Sequence, residues 1–258
     1  MSLIEIFNPN RCAFIPYLMA GDPDLETTRL LIRAVADAGA DAIELGIPYG
    51  DPLADGPTIA AAAVRALAGG VRIPDVLELV RKVARSAPPI ILFTYFNPVY
   101  QYGIERFARD AADAGAAAVI VPDIALEEGE ALQSALRACG LDMPLLVAPS
   151  TPRERAARIA EASTGFIYVV SRLGVTGANE APDFSPLQAQ LKMLRELTNK
   201  PLAVGFGISK PEQVHQVREF VDGVIVGSAL IDSYGGSSGE EAAARAADFT
   251  RSLKASSS

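Results

Sequence analysis

Histidine is almost missing from this chain of 258 residues, which holds one, His215. A histidine zinc cluster and a histidine-based catalytic triad are both excluded by that count. Cysteine is scarce as well. Cys12 and Cys139 stand alone, at a spacing that fits neither a metal knuckle nor a redox dithiol, and they read as free thiols of a reducing compartment. Basic patches are absent. The 23 Lys and Arg residues are scattered singly against 31 acidic ones, for a net charge of −8, so nucleic acid and anionic membranes are poor partners. No apolar run reaches ~18 residues, the length that suggests a membrane span, and the start of the chain lacks a charged-then-apolar signal pattern. A soluble, cytoplasmic protein is expected. No glycine-rich loop ends in Lys-Ser or Lys-Thr, so nucleotide hydrolysis is not indicated.

Half of the residues are hydrophobic, enough for one large core. Eight short apolar runs recur, at 13–20, 42–45, 90–95, 117–121, 145–148, 166–170, 202–204 and 223–226. Segments with apolar residues at three- and four-residue steps separate them, at 25–38, 74–86, 104–114, 127–138, 152–162, 186–197 and 211–220, and one more follows at 240–253. Residues 1–10 read as a short cap helix ending at Asn8-Pro9. The stretches from Asp37 to Gly46 and from Asp113 to Pro122 echo each other as helix end, glycine stop and buried strand. Eight strand–helix units without a linker predict a single (β/α)8 barrel domain over residues 1–258. An open doubly wound sheet shares the same local pattern.

In a barrel, chemistry sits at the carboxyl ends of the strands. The second unit carries most of it. Ile43, Leu45 and Ile47 share one strand face, and Ala42, Glu44 and Gly46 share the other, so Glu44 points into the space that the sheet encloses. A buried carboxylate there needs a partner or a task. Pro48, Gly50, Pro52, Gly56 and Pro57 then force a loop, which carries Asp51 and Asp55 before a helix near Thr58. Asp51 suits a turn, and Asp55 suits either a helix cap or an acid–base role. Tyr95, Asn97 and Asp123 also fall at strand ends, Asp123 as a possible cap of the helix after it. Tyr17, Phe93 and Phe206 suit either plain core or a slot for a flat apolar substrate.

Glycine corners follow the last two strands, Gly205-Phe-Gly207 and Gly227-Ser228, with Thr176-Gly177 on the preceding loop. Backbone amides at such corners can hold a phosphate, and barrels often hold one there. The connection 171–183 is long for a barrel and reads as a lid. His215 is expected on a helix surface.

The segments Pro16 to Pro23, Glu44 to Pro57, Ser171 to Gly177 and Gly205 to Ser209 resemble the tryptophan synthase alpha subunit family, over about Phe14 to Leu230. The resemblance implies a cofactor-free barrel that cleaves indole-3-glycerol phosphate to indole and glyceraldehyde 3-phosphate, paired with a beta subunit in an alpha2-beta2 assembly. It implies Glu44 as the catalytic acid/base and Asp55 as its partner carboxylate at the indole nitrogen. Tyr168 would stand close to the reacting groups, and Thr176 would order the lid around Asp55. Gly177, Gly207, Gly227 and Ser228 would contact phosphate, while Tyr17 and Phe93 would line the indole pocket. The chain departs from the family pattern at Met19, Gly50 and Leu173, positions that bear on loop mobility and partner coupling. Two alternatives are a stand-alone lyase that releases free indole and a silent activating subunit; intact Glu44 and Asp55 argue against the second.

Overall fold

A computed structural model describes residues 3–8, 10–171, 184–205 and 207–257. Thr176, Gly177, Leu173 and Phe206 lie outside the described residues, as does most of the expected lid. The strands are β1 (Ala13–Met19), β2 (Ile43–Gly46), β3 (Ile90–Phe93), β4 (Ala118–Ile120), β5 (Leu145–Val147), β6 (Ile167–Val170), β7 (Leu202–Gly205) and β8 (Gly223–Val226). All pair in parallel in the order β4-β3-β2-β1-β8-β7-β6-β5. The pairing of β1 with β8 brings the last strand back to the first, which an open doubly wound sheet does not do. Between β4 and β5 the ring closes through Asp142, whose carbonyl accepts from Val119 N at 2.9 Å and whose amide donates to Ala117 O at 3.1 Å. The eight strands lie within the eight apolar runs, except that β2 and β7 each extend one residue further, to Gly46 and Gly205.

The helices are α1 (Leu25–Asp37), α2 (Pro57–Ala68), α3 (Ile73–Val83), α4 (Phe96–Tyr102), α5 (Ile104–Ala114), α6 (Glu130–Ala138), α7 (Arg153–Ala162), α8 (Ser185–Leu197), α9 (Pro211–Val217), α10 (Ser228–Tyr234) and α11 (Gly239–Ser257). Their starts follow local chemistry. The Asp24 carboxylate accepts from Thr27 N at 2.7 Å and so caps α1, whose Leu31, Ile32 and Val35 turn inward at helical spacing. Two short helices escape the periodicity reading, α4 and α10. Each follows closely on a strand end, and α4 contains Pro98 and buries only Val99. The expected cap helix over 1–10 is instead a 3-10 turn, Leu3–Ile6, with Leu3 and Ile6 buried. One turn with two anchors suffices there, because Asn8 pairs with Arg11 and sends the chain straight into β1.

The floor of the barrel is tied by Asp41, just before β2. Its buried carboxylate accepts from Phe14 N at 2.8 Å and pairs with both Arg11 and Lys254, which joins β1 to the last helix, α11. Removing a well-paired buried carboxylate leaves its cation and amide stranded. Asp41→Ala is therefore expected to lower stability by about 3–5 kcal/mol in denaturant titration. A loss under ~0.5 kcal/mol, the range of an ordinary surface change, would mean that the floor does not depend on this residue.

Candidate active site

Glu44 sits inside strand β2, in register with Tyr17 of β1 on one side and Ile91 of β3 on the other. It is 1 % exposed, and neither carboxyl oxygen has a hydrogen-bond partner among the described residues. Burial, and then the charge of Asp55, push its pKa up to about 8. At neutral pH it carries a proton for which the described residues offer no acceptor.

Asp55 comes from the loop between β2 and α2. The helix cap is Gly56, with no side-chain cap bond, so the capping role open to Asp55 in the sequence is not the one it takes. Its side chain meets the Tyr95 hydroxyl instead. Burial raises the Asp55 pKa to about 6, and the Tyr95 hydrogen bond holds it from rising further. The same hydroxyl accepts from Ala54 N at 3.1 Å, so Tyr95 grips the loop at two consecutive residues. Aromatic rings extend this grip: Tyr49 lies 5.2 Å from Tyr95, and Phe93 meets Tyr95 edge-on at 6.3 Å. Tyr95 stood out in the sequence only as a strand-end residue; the hydroxyl beside a loop carboxylate was the signal for more.

Tyr17 and Phe93 come together as expected, edge to face at 5.8 Å, both buried. Tyr17 lies across Gly46: a Cβ added at Gly46 would fall 2.1 Å from the phenol oxygen. Tyr168 does the same across the barrel, where a Cβ at Gly205 would fall 2.2 Å from its oxygen. Both phenol pKa values are raised, first by burial and then by the charges of Asp55 and Glu44, so the two rings feel the carboxyl pair from opposite strands. Gly205 was expected among the phosphate corners, yet its small size is needed for Tyr168. Gly207 keeps the turn itself, at φ 103°. Gly227 caps α10 and Ser228 opens it, and a Cβ at Gly227 would press on Ile59 at 3.3 Å and on Tyr17 at 3.4 Å. The corner after β8 thus touches both the helix after Asp55 and the ring beside Glu44.

Other candidates fall away. The Asp123 carboxylate accepts from Phe96 N at 2.9 Å and so caps α4, not the helix after it, because β4 lies beside β3 and brings the two strand ends together. Asp51 is exposed on the loop, and His215 is exposed on α9.

A parallel barrel with a buried carboxyl group that has no partner among the described residues, a second carboxyl beside it and aromatic rings around both is the frame of an acid–base enzyme for a flat substrate. The sequence profile of the tryptophan synthase alpha chain matches residues 3–258. The alpha chain of Gloeobacter violaceus is 52% identical over 250 residues, covering 95% of this chain and 89% of its own length. Tryptophan synthase from M. tuberculosis, in its aminoacrylate-bound form, superposes at a TM-score of 0.89 with 35% identity and full coverage of both chains, 100% and 100%. The tryptophan synthase complex from Pyrococcus furiosus gives 0.85 with 34% identity, covering 94% of this chain and 98% of the other. This chain belongs to the tryptophan synthase alpha chain family.

The Glu44 pKa has a consequence for stability. Unfolded, the group titrates near 4.5; folded, near 8. Between those values the unfolded chain gives up the proton and the folded chain keeps it, so stability falls as pH rises and levels off above about 8. Glu44→Gln removes that loss. The variant should melt above wild type at pH 8, by an amount on the order of a few kcal/mol, with the gap closing toward pH 4.5. A gap that does not change with pH would show that Glu44 is not a buried neutral acid.

Proposed function

We propose that this chain, as one barrel domain, cleaves indole-3-glycerol phosphate by a retro-aldol reaction, as the alpha subunit of a tryptophan synthase. The observation that carries the mechanism is Glu44: a protonated, buried carboxyl group with no partner among the described residues, beside a second carboxyl group. Indole is a poor leaving group until its C3 is protonated. Glu44 gives its proton to C3, and the ring becomes an indoleninium cation. The ring N–H then carries the new charge, and the Asp55 carboxylate accepts its hydrogen bond. Glu44, now a carboxylate, takes the proton of the side-chain hydroxyl next to C3. The carbon–carbon bond breaks, its electrons return to the ring to give indole, and the former alcohol carbon leaves as the aldehyde of glyceraldehyde 3-phosphate. Glu44 ends the cycle protonated, so one group serves both transfers.

Tyr17 and Phe93 flank the ring in this reading, with Tyr168 opposite and Phe206 as a further wall. Gly207, Gly227 and Ser228, together with Gly177, hold the phosphate by backbone amides and so fix the far end of the substrate. Thr176 orders the loop around Asp55. No cofactor has a role in these steps.

The protonation states set the pH dependence. The reaction needs Glu44 protonated and Asp55 ionised, so kcat/KM should rise through about 6 and fall through about 8. Indole release measured from pH 5 to 10 reads both limbs. Glu44→Gln should cut cleavage by about 10² or more with substrate binding kept. Wild-type turnover in that variant would remove Glu44 from the chemistry.

A beta subunit is the partner. Leu53, on the Asp55 loop, is 82% exposed, and Tyr100, on the helix after β3, is 62% exposed, so apolar side chains stand free at the catalytic rim. A partner that favours the closed loop raises turnover, and a tenfold gain requires about 1.4 kcal/mol of differential affinity. Adding a beta subunit should therefore speed indole release at least tenfold. Equal rates with and without it would favour the stand-alone lyase.

A further inference from the structure

The two carboxyl groups of the site are held by different kinds of element. Glu44 is fixed within β2, whereas Asp55 rides a loop whose exit is α2. What holds α2 in place therefore bears on where Asp55 stands. The buried face of α2 is made of Ala62, Ala63 and Ala66. Methyl groups bury little area, and beyond Ile59 in the first turn, which packs against the core, α2 has no large buried side chain. Val64 and Leu67, its larger apolar side chains on the later turns, are exposed.

Polar ties take over at each end. In the last turn, Arg65 donates Nε to Asp22 Oδ1 at 2.7 Å and Nη2 to Asp22 Oδ2 at 2.9 Å. Asp22 lies in the loop after β1 and is 2% exposed, so this fork is anchored on a desolvated carboxylate of the barrel itself. In the first turn, the Thr58 hydroxyl donates to Asp232 Oδ1 of α10 at 3.3 Å. The buried phenol of Tyr234, also on α10, has no hydrogen-bond partner among the described residues and feels the charges of Asp22 and Arg65. A two-bond fork defines an orientation as well as a distance, which a single ammonium contact does not. Arg65 itself stands about 12 Å along the helix from Pro57, at 1.5 Å per residue, away from the reacting groups.

We infer that Arg65 and Asp22 are positioning residues for Asp55: their forked ion pair fixes α2 against the end of β1, and α2 fixes the loop that presents the carboxylate. The inference rests on Asp55 acting in the reaction as proposed. It also explains why an arginine half open to solvent is paired with a carboxylate that has no access to water of its own.

Four single variants, Arg65→Gln, Arg65→Lys, Asp22→Asn and Asp55→Asn, and the double variant of Arg65→Gln with Asp22→Asn test it, with kcat normalised to the folded fraction. Arg65→Gln is expected to lose about tenfold in kcat. Its acid limb should also shift downward by half a unit or more, because an Asp55 released from its burial loses the larger cause of its raised pKa, which outweighs the lowering hydrogen bond from Tyr95. Arg65→Lys keeps the charge without the fork and should remain slow. Asp22→Asn should give the same loss, and adding it to Arg65→Gln should cost little more, since the pair acts as a unit. A structural role alone would lower the melting temperature and leave the acid limb in place. If Arg65→Gln does not fold, Arg65→Lys and Asp22→Asn carry the same comparison. Wild-type kcat and an unmoved acid limb in these variants would overturn the inference. Should Asp55→Asn be fully active, the reading of Asp55 fails and takes this one with it. An inactive Asp55→Asn beside a normal Arg65→Gln sinks only the positioning role.

Discussion

A carboxyl group inside a barrel, with no donor to meet it among the described residues, is the constraint around which the mouth of this protein is arranged. Glu44 cannot ionise cheaply where it stands, so it holds its proton at neutral pH. That is costly for a fold and useful for a catalyst. A carboxyl already satisfied by amides or an arginine would be a weak acid donor and a weak acceptor, because both of its forms would be committed elsewhere. The strand gives Glu44 its position, the neighbouring rings keep water from solvating it, and Asp55 raises its proton affinity further. The chemistry asks for one group that gives a proton and then takes one back. Such a group needs a pKa near the working pH, and burial supplies it.

The rings around that group fit because two glycines make room. Tyr17 crosses Gly46, and Tyr168 crosses Gly205, each with its phenol oxygen where a Cβ would be. A side chain at either glycine would push a ring out of the lumen and open the site to water. The two positions lie at matching ends of their strands, β2 and β7, so small residues at strand ends set the shape of the pocket while bulky ones set its walls.

Much of this was legible in the amino-acid sequence, and the reasons are local. Alternating apolar runs and helical segments carry strong periodic signals, which is why eight strands could be placed to within a residue or two. The face of Glu44 followed from the two-residue repeat of a strand. What stayed hidden depends on contacts between elements far apart in sequence. Tyr95 reaches Asp55 across the β2–β3 boundary, and Asp123 reaches back to Phe96 across β3–β4. Neither partner can be read without knowing which strands are neighbours. Gly205 was read as part of a corner because a Gly-x-Gly spells a tight turn, and that spelling says nothing of the tyrosine on the adjacent strand that also needs its small size. The short helices α4 and α10 were missed for another reason: they start close to strand ends, where Asn97 and Ser228 read as strand-end and corner residues.

Two carboxyl groups close together in sequence, Asp41 and Glu44, are treated by the barrel in opposite ways. Asp41, at the floor, is surrounded by an amide, an arginine and a lysine, and it ties the first strand to the last helix. Glu44, three residues later and inside β2, has none of these among the described residues. Three residues along a strand is about 10 Å, at 3.3 Å each, enough to pass from one end of the sheet's interior toward the other. The same segment therefore carries stability at one end and reactivity at the other. Swapping the two environments would spoil both, since a paired Glu44 could not cycle a proton and an unpaired Asp41 would loosen the floor. Separating them along one short strand lets a rigid base support a site whose central group is left unsatisfied.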